Sequence, residues 1–176
     1  EINWNDRLIG IKGTRGVGKT TFLLQYAKEK FGTDRSCLFI NMNNFYFSNF
    51  SIVDFAYEFQ RRGGKVFLID QVFKHPDWSR ELRMCYDRFP NLKIVFTGSS
   101  VMRLKEENLE LRDIVKSYNL RGFSFREYLN LQTGMKFRAY TLEEILSNHE
   151  QIAKGILSKV RPLDYLQDYL HHGFYP

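Results

Sequence analysis

Eight consecutive residues, Gly13-Thr14-Arg15-Gly16-Val17-Gly18-Lys19-Thr20, have the types and spacing of a phosphate-binding loop, and a second hydroxyl, Thr21, follows. A nucleotide polyphosphate carries several negative charges and needs many donors at close range. Gly13, Gly16 and Gly18 let the backbone turn tightly and aim N–H groups inward. A helix that starts near Lys19 adds the positive end of its dipole. In this pattern Lys19 reaches the β- and γ-phosphates, and the Thr20 hydroxyl ligates Mg²⁺. The context fits: the short apolar run Leu8–Ile11 precedes the loop, and Thr21–Lys30 reads as a helix.

A second acidic position completes the expected metal site. Val66-Phe67-Leu68-Ile69 is an unbroken apolar strand that ends in Asp70, where a carboxylate holds Mg²⁺, mostly through water. Gln71 follows, at the place where a glutamate would act as general base in ATPases with an extra strand between the phosphate loop and the acidic strand. An amide orients water but does not take its proton at neutral pH. Two origins fit: an exchange of Glu for Gln that traps nucleotide, or a natural chain that hydrolyses slowly. Both predict retained binding and weakened turnover. The next apolar strand, Leu92–Phe96, runs into Thr97-Gly98-Ser99-Ser100. Those residues read either as a Gly-Ser turn or as a sensor of the terminal phosphate, with Thr97 and Ser99 as its hydroxyls.

The elements that position these groups alternate between strand and helix, as in a parallel α/β sheet. Cys37–Asn41 reads as the second strand, Asn41–Asn49 as a loop, and Phe50–Arg62 as a helix that ends at Gly63-Gly64. Asp77–Phe89 and Val101–Asn108 read as helices and Val115–Leu120 as a fifth strand. Beyond Gly122 there is no strand signal. Ser124–Glu127 and Thr141–Glu144 are capping boxes, and Pro162 suits the first turn of a last helix, Leu163–Leu170. The expected organisation is a nucleotide-binding core over 1–122 and a helical lid over 123–176.

With 176 residues and a formal charge of +6, the chain is long enough for one such domain with a small appendage and basic enough for ATP, nucleic acid or an acidic partner. Cys37 and Cys85 are far apart without metal-type spacing and read as buried reduced thiols. His75, His149, His171 and His172 do not form a metal set. No apolar run approaches a membrane span and no secretory pattern opens the chain, so a cytoplasmic setting is the expectation. The chain opens on Glu1 and closes on Pro176 and reads as a piece of a longer protein. No Asn-Lys-x-Asp motif is found, which disfavours GTP.

Taken in order, Gly13–Thr21, Val66–Trp78, Ile94–Ser100, Ser124–Leu129 and Tyr169–Pro176 resemble prokaryotic AAA-type, STAND-like P-loop ATPases that carry a C-terminal domain of unknown function. The resemblance implies a five-stranded sheet in which the Asp70 strand stands two strands from the loop strand. It implies Mg-ATP as ligand and a helical lid ending in a Gly-x-x-Pro element, with Pro176 near the adenine. Relatives end the Asp70 strand in Asp-Glu, from which Gln71 departs. They often carry an acid after the second strand, where this chain has Asn41-Met42-Asn43-Asn44.

Four functions compete on these grounds. An ATPase switch or motor would move its lid, or its own C-terminal domain, with phosphate status. It could assemble as an oligomer with an arginine, among Arg103, Arg112 and Arg121, reaching a neighbour's phosphate. A nucleotide-gated module for a protein partner would need little hydrolysis. A DNA-associated ATPase would use the positive charge and the aromatics of Asn43–Phe50. A small-molecule kinase would want an arginine-rich lid, which is not seen.

Overall fold

The computed structural model describes residues 2–48, 50–99 and 108–175. Five strands form one parallel sheet in the order β2-β3-β4-β1-β5. They are β1 (Leu8–Gly13), β2 (Cys37–Asn41), β3 (Val66–Asp70), β4 (Lys93–Ser99) and β5 (Lys116–Asn119). Every pairing is parallel. The expected order is therefore present: β4 separates the loop strand β1 from the Asp70 strand β3.

Strand periodicity explains why β1, β3 and β4 are apolar on both faces. Successive side chains alternate. Leu8, Phe67, Ile69, Ile94 and Phe96 enter one core with Ile52, Ala56, Leu82 and Cys85. Those partners come from α3 (Ile52–Arg61) and α4 (Trp78–Arg88). Ile9, Ile11, Leu68 and Val95 enter the other core, against Leu23 of α1 (Lys19–Lys30). All five residues of β3 are buried, which is what helices on both faces of a central strand require.

Three local readings change. The stretch Asn41–Asn49 contains a short helix, α2 (Phe45–Ser48). Thr97-Gly98-Ser99 is strand rather than turn, because Lys12 pairs with Gly98 and Gly13 with Ser99 up to the start of the loop. A single 3-10 turn, Val72–Lys74, follows β3. Cys85 is buried as expected, whereas Cys37 is only half-buried, because β2 forms a sheet edge. Residues 101–107 of the expected helix Val101–Asn108, Arg103 among them, lie outside the described residues, as do Ser100 and Pro176, and Asn108 is not helical.

The chain divides into two compact units, residues 1–121 and 122–176. In the second, Ser124 and Thr141 both close full capping boxes, at the starts of α5 (Phe125–Thr133) and α6 (Leu142–Leu157). α7 (Leu163–Asp168) begins right after Pro162 and runs into a π-helical turn, Tyr169–Gly173. Tyr169 packs its ring 5.2 Å from Phe125 and 5.5 Å from Tyr128. Its hydroxyl donates to the Phe123 carbonyl at 2.9 Å. A Cβ at Gly173 would stand 2.8–2.9 Å from the Tyr169 and Tyr128 rings. Gly173 is thus required by packing within this unit, whatever else the Gly-x-x-Pro element does.

Candidate functional site

The glycine-rich loop connects β1 to α1. A Cβ on Gly13 would lie 2.4 Å from the Leu120 carbonyl oxygen, so only glycine lets β1 end this close to β5. Gly16 and Gly18 have φ of 85° and 90°, in the left-handed region. Val17 is buried and pins the loop from below. Gly18 caps α1 without any side-chain hydrogen bond. The first-turn amides of α1 thus have no side-chain cap in front of them, the arrangement that suits an anion.

Lys19 folds back over this loop. Its ammonium donates to the carbonyls of Gly13 and Thr14 at 2.8 and 2.7 Å. Partial burial pushes its pKa below the usual lysine value, against the raising effect of Asp70. A cation whose charge is penalised by burial gains from an anionic ligand beside it.

Asp70 is almost fully buried at the C-terminal end of β3, and three side chains donate to it. The Thr20 hydroxyl reaches Oδ2 at 2.7 Å. The Asn41 amide reaches the same oxygen at 3.0 Å. The Thr97 hydroxyl reaches Oδ1 at 2.5 Å. Thr97 in turn accepts the Gln71 backbone N–H at 2.9 Å. The structure therefore separates the two expected sensor hydroxyls. Thr97 is buried and committed to Asp70 and Gln71, whereas Ser99 lines the open cavity.

Gln71 has φ 54° and ψ 45° and is the one non-glycine residue with positive φ among the described residues. Such a conformation costs an ordinary side chain about 1 kcal/mol or more. It reverses the chain at the end of β3, so that Val72 turns into the core while Phe73 and Lys74 face the site.

The resulting cavity holds about 650 Å³. Gly13, Gly16, Gly18, Lys19, Thr20 and Thr21 line one side; Asp70, Gln71, Phe73 and Lys74 line another, with Gly98, Ser99 and Asn43 beside them. Arg15 also lines it, whereas Thr14 is exposed and does not line it. Arg112 and Arg121 are exposed and do not line it. A second cavity of about 560 Å³ is mainly apolar, between Trp4, Ile11, Phe22, Tyr118 and Leu120. Trp4 stacks on Tyr26 at 3.8 Å with the rings 6° from parallel.

Sequence reasoning missed Asn41 as a partner of Asp70. The available signal was position: Asn41 ends the strand next to β3 and pairs in register with Asp70. The aromatics of Asn43–Phe50 divide. Phe47 packs 5.2 Å from Phe55 against the core, while Phe45 and Phe50 are exposed. Among the described residues no group of His, Cys, Asp and Glu could hold a metal by itself, and no helix is long and apolar enough to cross a membrane.

A family model described as an AAA domain matches residues 5–129. The chain belongs to the AAA-domain family. An uncharacterized protein of Methanocaldococcus jannaschii is 31% identical over 169 residues, which covers 89% of this chain and 35% of that protein. This AAA domain thus spans about a third of that relative's length. It is a nucleotide-binding, ATPase-like module of the AAA type.

Proposed function

We propose that this AAA domain binds Mg-ATP and uses it chiefly as a conformational ligand, with slow hydrolysis. The observation that carries the reading is the Thr20 hydroxyl on the Asp70 carboxylate at 2.7 Å, at the mouth of the glycine-rich loop. A hydroxyl and a buried carboxylate side by side are the oxygen donors that a Mg²⁺ ion takes from a protein when phosphates supply the rest. The residues present therefore fit the metal. When bound, Mg²⁺ would neutralise phosphate charge.

In this reading the loop amides of Gly13–Gly18 and the first turn of α1, including Thr21, hold phosphate oxygens. Lys19 leaves its two carbonyls for the phosphates. Thr20 and Asp70 hold the metal. Thr97 and Asn41 fix the Asp70 carboxylate so that it presents one orientation. Ser99 senses the terminal phosphate. The apolar cavity beside Trp4 and Phe22 takes the base. Gln71 orients water without deprotonating it, so hydrolysis is slow and the ATP-bound state persists.

The signal then passes to a further part of a longer protein, as in a STAND-like switch. The length of the M. jannaschii relative supports that arrangement. Equilibrium binding of ATP with and without Mg²⁺ tests the core of the proposal. The parent should bind and Lys19→Ala should lose at least about a hundredfold in affinity, the weight of several charge-assisted hydrogen bonds. Equal binding by Lys19→Ala would end the phosphate-loop reading.

A further inference from the structure

The cavity contains a cation that the nucleotide-site motifs do not use. Lys74 closes the 3-10 turn after Gln71, its amide donating to the Gln71 carbonyl at 3.0 Å, and it lines the same cavity as Lys19 and Asp70. Its ammonium lies 5.8 Å from the ring of its neighbour Phe73. None of the ion pairs among the described residues uses it. The positive φ of Gln71 is what brings Lys74 to this side. A helix or strand continuing from Asp70 would carry it elsewhere.

Its place along the sheet edge assigns it a ligand. The apolar cavity lies where β1 meets β5, the loop stands on β1, and Lys74 follows β3. With β4 between them, the ends of β1 and β3 are about 10 Å apart. A nucleotide with its base on the β5 side and its middle phosphate on the loop points its last phosphate toward β3. We propose that Lys74 acts beside Ser99 in distinguishing a nucleoside triphosphate from a diphosphate, by donating its charge-assisted hydrogen bond to the terminal phosphate from within the same chain. It is a mobile point charge on a long stem, suited to an oxygen that is present in one state and absent in the other.

This inference rests on the Mg-ATP reading above, and one experiment separates the two. Dissociation constants for ADP and for the β,γ-imido analogue of ATP, both with Mg²⁺, are measured on the full chain and on Lys74→Ala, Lys74→Arg and Lys19→Ala. Loss of one charge-assisted hydrogen bond should weaken the triphosphate analogue about tenfold to a hundredfold in Lys74→Ala. ADP should change less than about twofold, and Lys74→Arg, which keeps the charge, should restore most of the preference. Lys74 is exposed, so thermal melting without ligand should match the parent. Equal weakening of both nucleotides, or of neither, in Lys74→Ala overturns the Lys74 assignment while leaving the site reading intact. A parent chain that binds neither nucleotide, or undiminished binding in Lys19→Ala, overturns the reading itself and the inference with it.

Discussion

Thr97 offers a substitution pair whose order depends on the hydrogen-bond chain alone. Its side chain is fully buried. Its hydroxyl donates to Asp70 at 2.5 Å and accepts from the Gln71 amide at 2.9 Å. Thr97→Val keeps the shape and removes both bonds. Loss of a bond to an ionised carboxylate costs about 1.5–3 kcal/mol, and an unpaired buried amide about 1–3 kcal/mol more. The added methyl returns about 0.8 kcal/mol. The net loss is about 2–5 kcal/mol. Thr97→Ser keeps both bonds and loses a buried methyl, about 1 kcal/mol. With a urea dependence of about 2 kcal/mol per molar, the midpoint falls by about 1–2.5 M for Val and about 0.5 M for Ser. The chain's two tryptophans, Trp4 and Trp78, both lie in the 1–121 unit, and Trp78 packs 5.8 Å from Phe96, next to Thr97. Urea titration followed by tryptophan fluorescence therefore reads this unit. Packing alone ranks Val above Ser. A Val midpoint equal to or above that of Ser would refute the chain from Gln71 through Thr97 to Asp70.

Gln71→Glu should raise phosphate release about a hundredfold, the usual weight of a positioned general base; an unchanged rate would remove position 71 from the chemistry. Ser124→Ala should cost about 1 kcal/mol in the helical unit, followed by far-ultraviolet circular dichroism. The Ser124 hydroxyl and amide hold the Glu127 carboxyl below its ordinary value of 4.5. That contribution is complete above pH 4.5 and drains as pH falls through the lowered folded value, so the parent's acid limb should flatten in Ser124→Ala. Burial pushes the Cys37 thiol up to about 11 and Cys85 up to about 12. Alkylation of the folded chain at pH 8 should thus run far below the rate for a free thiol, with Cys37 reacting before Cys85; a free-thiol rate at either would contradict the burial.

Much of this arrangement is legible without coordinates, and the reasons are local. Val66–Ile69 can hardly be anything but a doubly covered strand, and Gly13–Thr20 carries its spacing in its own residue types. What sequence pattern does not reveal depends on register. Thr97-Gly98-Ser99 has turn composition, yet it stays in the sheet because β1 extends to Gly13 beside it. Asn41 looks like the start of a polar loop, and its meaning comes from the strand next to it. The 3-10 turn after Gln71 has no signature, since a glutamine at positive φ breaks the ordinary preference for glycine or asparagine. Ser124 and Thr141, by contrast, announce their helices by a four-residue pattern that needs no tertiary partner.

The left-handed backbone at Gln71 sets two selective pressures against each other. A library at this position sorted only for folded protein should enrich glycine and asparagine, which take that conformation at little cost. A library sorted for turnover should enrich glutamate, which bears the same backbone cost as glutamine and adds a base. Positions where the two enrichment profiles diverge mark residues kept for what they do rather than for how they fold, and in this chain position 71 should head that ranking.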